Sequence, residues 1–336
     1  MKLLVLNLFL LISFGLHGKP QLKEIIDASQ GLNNPFGVTF DNQGNAYIAE
    51  YEGGRIFRLD KNEKLVLFSG NGKKGFAGDG KQVSQGAYNG MHNLAWSSDK
   101  ILYVSDTHNH LIRKIDLKTN LISTFAGIPN SKGFSGDGGP ATEAKLNTPI
   151  SITLTPDEKT ILISDISNLR IRAVDLESGI IRTVAGNGKR GKPVDDMPAI
   201  AQPLIGPRAA IMDNSGNLFI LERNGNALRV VRPNGKIQTL AGTGKTGNQD
   251  GPALKSTFNG PKHLCFDKNG NIIIADDKNQ LIRLYNQKSK LVSTILGGKT
   301  IPRTVLNRPH GVALAPDGAI WVCDSGNNRI LTLRNH

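Results

Sequence analysis

One sequence unit recurs six times along the 336 residues, and this repetition restricts the chain to a repeat architecture. In each unit, a short apolar stretch leads into a turn, and a second apolar stretch ends in an acidic residue. The six closing acids are Glu50, Asp106, Asp165, Glu222, Asp276 and Asp324. Their spacing of roughly 50 to 60 residues is close to the period of a propeller blade. The sequence therefore predicts an all-β fold, a six-bladed β-propeller of four-stranded blades.

The last unit ends before a fourth strand, while an unassigned apolar stretch lies near the start of the chain. The first three strands of each unit are called a, b and c, and the fourth is called d. In the sixth unit strand c runs out near Leu333, three residues before the end of the sequence. Residues 22–26 can supply the missing strand, and this pairing would remove two open sheet edges. We therefore expect the N-terminal strand to close the last blade.

The first 18 residues have the pattern of a signal peptide. Lys2 is followed by an almost wholly apolar run that ends near Gly18. The run is shorter than the roughly 20 apolar residues that span a bilayer, and it matches the apolar region of an export signal. We expect residues 1–18 to be removed and residues 19–336 to form one propeller that is periplasmic, cell-surface or extracellular. An uncleaved N-terminal anchor is the alternative.

The composition favours an acidic partner. The net charge is +13, which is suited to an anionic small molecule, an acidic glycan or an acidic protein surface. Solubility alone is the alternative explanation, because the basic residues are scattered. Aromatic residues make up only 6%, which together with export argues against nucleic acid. We expect a monomer. Cys265 and Cys323 are interpreted as buried free thiols, with a disulfide between neighbouring blades as the alternative.

The chain resembles the NHL-repeat β-propellers over nearly everything after residue 18. The residues that carry the resemblance are Pro309-His-Gly-Val-Ala313, Asn109-His-Leu-Ile-Arg-Lys114, Asn327-Asn-Arg-Ile330 and the spacer Gly136-Asp-Gly-Gly-Pro-Ala-Thr-Glu-Ala144. The family includes exported bacterial proteins, interaction and RNA-binding modules and a metal-dependent amidating lyase, and gluconolactonase-like enzymes are similar propellers. The resemblance thus implies a fold, but it leaves open whether the chain is an enzyme and which cofactor, if any, it uses.

A feature shared by all six blades is expected to be structural, whereas a departure from the repeat is a candidate for function. By this test the six closing acids are structural, and each should cap the turn into strand c or meet a cation there. His108 and His110 follow one of these acids and are interpreted as surface residues. Aspartates in the long spacers, such as Asp137, are expected to cap short helical turns.

The residue after the proline that opens strand a, or its equivalent, should point into the mouth of the central channel. Reading this position blade by blade gives Phe36, His92, Ile150, Arg208, Lys262 and His310. This set does not follow the repeat and contains four side chains that can donate to an anion. We predict that it forms the ligand site, and that anion affinity rises as the pH falls through about 6.5, where histidine charges.

The amidating lyase of the family holds zinc with a histidine on each of three alternate blades. The matching positions here are His92, Arg208 and His310, so the third ligand is missing. His263 lies one residue beyond the mouth position and should point the other way. The leading hypothesis is therefore a secreted binding module with a cationic mouth. A metal-assisted hydrolase or lyase is the alternative, and nucleic-acid binding is the third hypothesis.

Overall fold

The computed structural model describes residues 20–300 and 303–334, which form six antiparallel sheets arranged as the blades of a ring. The innermost strand of each blade contacts that of the next, and blade 6 contacts blade 1 in the same way. This arrangement confirms the predicted six-bladed β-propeller. The predicted signal peptide, residues 1–18, lies outside the described residues. Within the described residues, no helix is long and apolar enough to cross a bilayer.

The strands are numbered β1 to β25 in chain order. Blade 1 contains β2 (Pro35–Phe40), β3 (Ala46–Glu50), β4 (Ile56–Leu59) and β5 (Leu65–Ser69). Blade 2 contains β6 (Leu94–Ser97), β7 (Ile101–Asp106), β8 (Leu111–Asp116) and β9 (Leu121–Ala126). Blade 3 contains β10 (Pro149–Leu154), β11 (Thr160–Asp165), β12 (Arg170–Asp175) and β13 (Ile181–Ala185). Blade 4 contains β14 (Pro207–Met212), β15 (Leu218–Glu222), β16 (Ala227–Val231) and β17 (Ile237–Ala241).

Blade 5 contains β19 (His263–Phe266), β20 (Ile272–Asp276), β21 (Leu281–Asn286) and β22 (Leu291–Leu296), with the short β18 (Gly251–Pro252) on its outer edge. Blade 6 contains β23 (Pro309–Leu314), β24 (Ile320–Asp324), β25 (Arg329–Arg334) and β1 (Gln21–Ile26). The described residues also form short 3-10 helices at Ala28–Gln30, Val83–Gln85, Thr107–Asn109, Ala141–Glu143, Ile166–Asn168, Ala199–Ala201, Ala253–Lys255, Asp277–Asn279 and Ser325–Asn327.

The N-terminal strand closes the ring, as the sequence predicts. Strand β1 pairs antiparallel with β25, placing Leu22 opposite Leu333 and Glu24 opposite Leu331. Its last residue, Ile26, is completely buried in the apolar cluster between blades 6 and 1. The two ends of the chain therefore share one sheet, and the sixth blade has four strands like the others.

Apolar side chains between neighbouring blades hold the ring together. Because successive residues of a strand point to opposite faces, each blade packs against both of its neighbours. Phe219 of blade 4, for example, shares a buried cluster with Phe258 and Tyr285 of blade 5. Both cysteines are free; Cys323 is buried between blades 6 and 1, whereas Cys265 is only partly buried. The thiol interpretation is confirmed, apart from the full burial expected for Cys265.

Each closing acid is fully buried and bonded to an arginine. Asp165, for example, accepts hydrogen bonds from the Asn147 backbone N–H at 2.8 Å and from the Asn168 side chain at 2.7 Å. The other acids accept from a backbone N–H at the matching place before strand a. The six ion pairs are Glu50–Arg55, Asp106–Arg113, Asp165–Arg172, Glu222–Arg229, Asp276–Arg283 and Asp324–Arg329. The expected cation is thus present in every blade.

The spacer aspartates do not cap helical turns, contrary to the sequence-based expectation. The turn at Ala141–Glu143 receives no side-chain capping bond. Instead, Asp137 accepts from Arg172 at 2.6 Å and from Thr183 at 2.7 Å. Asp79 and Asp250 bind Arg113 and Arg283 in the same way. The reason is that each spacer runs along the outer strand of the following blade, as when Gly251 pairs with Val292, so its aspartate faces the buried guanidinium there.

We predict that Ile26→Ala lowers the free energy of unfolding by about 2–5 kcal/mol, because the change leaves a cavity in the seam between blades 6 and 1. The control is Leu67→Ala, whose side chain is 54% exposed and which should change stability by about 0.5 kcal/mol or less. Urea denaturation measures both. Equal stability of Ile26→Ala and the unmodified chain would contradict the closure.

We predict that Asp165→Asn lowers the free energy of unfolding by about 3 kcal/mol, because it leaves the buried Arg172 charge without its buried partner. Asp137, which is 37% exposed, binds the same arginine, so Asp137→Asn should lower it by about 1 kcal/mol or less. Burial raises the pKa of Asp165 to about 6, so both variants are measured at pH 7.5, where this carboxyl is ionised. The reverse order of the two losses would refute the structural role of Asp165.

Candidate functional site

The predicted mouth residues are aimed by a repeated irregularity in the sheets. Phe36, Ile150, Arg208 and His310 each follow the proline that opens strand a. In these four blades the pairing between strands a and b shifts at this position. A bulge of this kind turns a side chain out of the regular alternation. In blades 2 and 5, His92 and Lys262 come just before the first paired residue of strand a.

The structure brings the mouth residues together around His310. The His310 ring stacks on Phe36 with 3.5 Å between ring centroids. The Arg208 Nη2 atom lies 3.0 Å from His310 Nε2. The His92 ring centroid is 6.1 Å from that of His310 and 5.1 Å from that of Phe36. Side chains from blades 1, 2, 4 and 6 therefore meet at one end of the channel.

Ile150 and Lys262 complete the predicted set. Ile150 lines a cavity of about 570 Å³ together with His92 and Arg208. Lys262 Nζ lies 3.4 Å from Asp277 Oδ2, and both side chains are almost entirely buried. The positive charge of Arg208 is close enough to Lys262 to lower its pKa. All six residues thus lie at the same end of the ring, although Phe36 mainly supports His310.

The cavity also contains residues that the sequence analysis did not select. Its wall includes Tyr51, His108, Arg190, Arg223 and Asn224. His108 is exposed, as expected, yet its Nε2 lies 3.1 Å from the Tyr51 hydroxyl and it lines the cavity. The mouth is therefore larger and more basic than the single predicted ring.

The missed residues carry a signal in the repeat. The position directly after each closing acid changes from blade to blade and reads Tyr51, Thr107, Ile166, Arg223, Asp277 and Ser325. This position lies beside the mouth residue of its own blade: Tyr51 stacks on Phe36 at 4.4 Å, and Thr107 Oγ1 is 2.9 Å from His92 Nδ1. The rule that selects departures from the repeat, applied to this second position, would have found Tyr51, Arg223 and Asp277. It would not have found His108, Arg190 or Asn224.

Burial and neighbouring cations change the protonation of the mouth. The pKa values of His92 and His310 are lowered well below the usual range, chiefly by burial and then by the charges of Arg208 and Lys262. Burial, followed by the charge of Arg208, lowers the pKa of Lys262 to about 7. The expectation that the histidines charge near pH 6.5 is therefore wrong, because both are neutral there. Lys262, with a pKa of about 7, therefore titrates near neutral pH at the mouth.

Three buried polar atoms at the mouth have no hydrogen-bond partner among residues 20–300 and 303–334. These atoms are Arg208 Nε, His310 Nδ1 and Asp277 Oδ1. A buried polar atom without a partner costs free energy and is rarely left so. Two of the three residues can donate to a ligand, while the Asp277 oxygen accepts. Together the three atoms would suit a ligand with both acceptors and a donor. Because the atoms are inaccessible to solvent, such a ligand would have to displace neighbouring side chains to reach them.

The mouth does not fit a catalytic zinc ion. Such a site needs three protein ligands with lone pairs directed at the metal. Here Arg208 takes the place of the third histidine, and its guanidinium lies against His310 Nε2. Nor do the described residues contain a cluster of three or more His, Cys, Asp or Glu side chains arranged for a metal. The basic mouth therefore favours an anion over a cation.

A hydrogen bond across the channel separates the mouth from the opposite end. Asn93 Nδ2 of blade 2 lies 3.0 Å from His263 Nε2 of blade 5. His263 Nδ1 lies 3.1 Å from the Val312 carbonyl oxygen, to which it can donate. His263 therefore braces the channel below the mouth and takes no place in the mouth set, as the alternation of the strand predicts. The channel is therefore bridged below the mouth by the contact between Asn93 and His263.

Comparison with known proteins agrees with the repeat. Residues 306–333 match the family model of the NHL repeat. The chain is similar to NHL repeat-containing protein 2 of Gallus gallus, with 26% identity over 89% of this chain and 46% of that protein. The chain spans less than half the length of the curated relatives that it matches over most of its own length.

Two solved structures share the fold. An auxiliary nutrient binding protein from Bacteroides thetaiotaomicron aligns with a TM-score of 0.65 and 12% identity, covering 91% of this chain and 70% of that one. A virginiamycin B lyase from Staphylococcus aureus, solved with quinupristin, aligns with a TM-score of 0.59 and 17% identity over 94% and 99%. The molecule is thus a six-bladed propeller with a basic mouth. Its last blade matches the NHL repeat, and the chain as a whole is similar to NHL repeat-containing proteins.

Proposed function

We propose that this chain is an exported binding propeller whose mouth holds a small ligand with a carboxylate and hydroxyl groups. The observation that carries the proposal is an excess of buried positive charge at the mouth, together with buried polar atoms that lack hydrogen-bond partners. Arg208 and Lys262 are both buried, and Asp277 is the carboxylate whose charge acts on both of them. A ligand carboxylate would neutralise the excess positive charge, which is costly to bury unpaired.

Each unpaired atom has a role in this proposal. The Arg208 guanidinium donates to the ligand carboxylate, and such charge-assisted bonds are stronger than neutral ones. Lys262 adds a second positive charge. The free Asp277 oxygen accepts a bond from a ligand hydroxyl. Neutral His310 accepts from Arg208 through Nε2, so its Nδ1 carries the proton and donates to the ligand. Hydroxy acids and sugar acids carry this combination of groups.

A second candidate function is catalytic, a hydrolase or lyase that acts on the bound acid. The observation that favours it is the contact between the Tyr51 hydroxyl and His108 at the cavity wall, because such a pair can transfer a proton. Since zinc does not fit this mouth, the proposal relies on these two side chains. Turnover of sugar-acid lactones or uronides is the test. Equal rates for the unmodified chain and His108→Ala would remove this candidate.

We predict that sugar acids such as gluconate and galacturonate bind and that Arg208→Gln weakens binding about 10- to 100-fold. This range corresponds to one charge-assisted hydrogen bond of about 1.5–3 kcal/mol. The matched control is Arg182→Gln, an exposed arginine on strand β13, which should leave the affinity unchanged. Titration calorimetry measures the affinity, with glucose as the uncharged comparison. Failure of every sugar acid to bind more tightly than about 1 mM would contradict the proposal.

We predict that the affinity for gluconate falls as the pH rises through about 7, since Lys262 loses its proton there in the free protein. Binding of an anion favours the charged lysine, so the affinity is highest on the acidic side. Lys262→Met should remove this step while Arg208 keeps part of the affinity. Calorimetry between pH 6 and 8.5 gives the profile. A rise in affinity with pH would indicate competition between protons and a metal ion and would contradict anion binding.

A further inference from the structure

The loops that connect strand d to the next strand a carry a repeated basic position. Three of them begin with Gly-x-Gly-Lys, and the other two also place a lysine within a few residues of the strand. These lysines are Lys73, Lys132, Lys189, Lys245 and Lys299, and all five are exposed. This position was not selected in the sequence analysis.

The lysine loops surround the mouth. The Lys73 carbonyl lies against Gly54, in the turn after strand b of blade 1. The charge of Lys132 lowers the pKa of His110 in the equivalent turn of blade 2. Arg190, the neighbour of Lys189, lines the mouth cavity itself. The five lysines are therefore called the basic rim.

The opposite end of the ring has no comparable excess of positive charge. The turns there place acids next to lysines, as in Asp60-Lys-Asn-Glu-Lys64 and Asp157-Glu-Lys159. Asp60 and Asp157 are further held by backbone and side-chain hydrogen bonds within their turns. The positive charge of the molecule is thus concentrated on the face that contains the mouth.

We propose that the basic rim binds an acidic polysaccharide, one residue of which enters the mouth. The proposal rests on the proposed function only for the sugar residue that enters the mouth. The contacts with the rim lysines do not depend on it. Negative charges along a polymer can meet several rim lysines at once, and linked contacts increase the overall affinity beyond that of a single residue. The rim also raises the rate of encounter through long-range attraction.

The aromatic rings of the mouth favour a polysaccharide over a nucleic acid. Binding of single-stranded nucleic acid depends on open ring faces on which bases stack. Here the Phe36 ring is covered by His310 and Tyr51, at 3.5 and 4.4 Å between centroids. The Lys74 ammonium lies 5.7 Å from the centroid of the Tyr51 ring. The Phe36 ring is therefore covered, whereas the five rim lysines are exposed.

The test measures how affinity depends on the length of the ligand and on the location of the lysines that are replaced. The probes are galacturonic acid, an oligogalacturonate of about ten residues, and a single-stranded DNA of equal charge. One variant replaces Lys73, Lys132, Lys189 and Lys245 with glutamine. The control replaces Lys61, Lys118, Lys236 and Lys288, which are exposed at the opposite end, and therefore has the same net charge. Calorimetry at low and high salt gives the affinities.

We expect the oligogalacturonate to bind at least tenfold more tightly than the monomer at low salt. The rim variant should lose about tenfold or more of this affinity, the sum of four exposed charge contacts, and much of its salt dependence. Its affinity for the monomer should stay unchanged, as should both affinities of the control. Equal losses in the rim and control variants, or tighter binding of the DNA than of the oligogalacturonate, would overturn the proposal. Arg208→Gln tests the mouth separately. It should weaken binding of the monomer, while the rim substitutions should still lower the affinity for the oligogalacturonate.

Discussion

Each blade is fixed at its mouth end by one buried carboxylate. This carboxylate ends strand b, accepts a hydrogen bond from the backbone just before strand a, and pairs with an arginine on or next to strand c. Three segments of the blade are therefore joined at one point. Because the bonded backbone N–H lies three residues before the mouth position in every blade, the same contact helps to determine where each mouth side chain points. The repeated acid is structural, yet the variable site depends on it.

The number of blades and the closing strand could be predicted from the sequence, because the repeated unit can be counted and its last copy lacks one strand. The six mouth residues could be predicted because they occupy one repeated position at which the residue type varies. Asp277 and Tyr51 were missed because each directly follows a closing acid, and this turn was assigned to the scaffold as a whole. The protonation of His310 could not be predicted, because it depends on burial and on Arg208, which lies about a hundred residues away in the sequence. The spacer aspartates were misjudged for a related reason: their partners lie on the following blade.

The mouth illustrates how one fold can serve different chemistries. A ring of equivalent positions allows a histidine to be replaced by an arginine without changing the backbone around it. In this chain the replacement places a guanidinium against His310 Nε2, where the pattern of the amidating lyase would have a third metal ligand. The neighbouring Lys262 adds to the positive charge, and a contact between Asn93 and His263 bridges the channel below the mouth. The outcome is a basic pocket on a scaffold that elsewhere carries enzymes and binding proteins.

The most direct test of the anion-binding mouth is the location of bound halide in a crystal of the chain soaked in bromide. Anomalous scattering identifies bromide without reference to any assumed ligand. The prediction is a well-occupied site within hydrogen-bond distance of Arg208 Nε or Lys262 Nζ, at about 3.2–3.5 Å for this larger ion, which exceeds the usual N–H···O distance. Bromide found only at exposed lysines, with none at the mouth, would contradict the central claim.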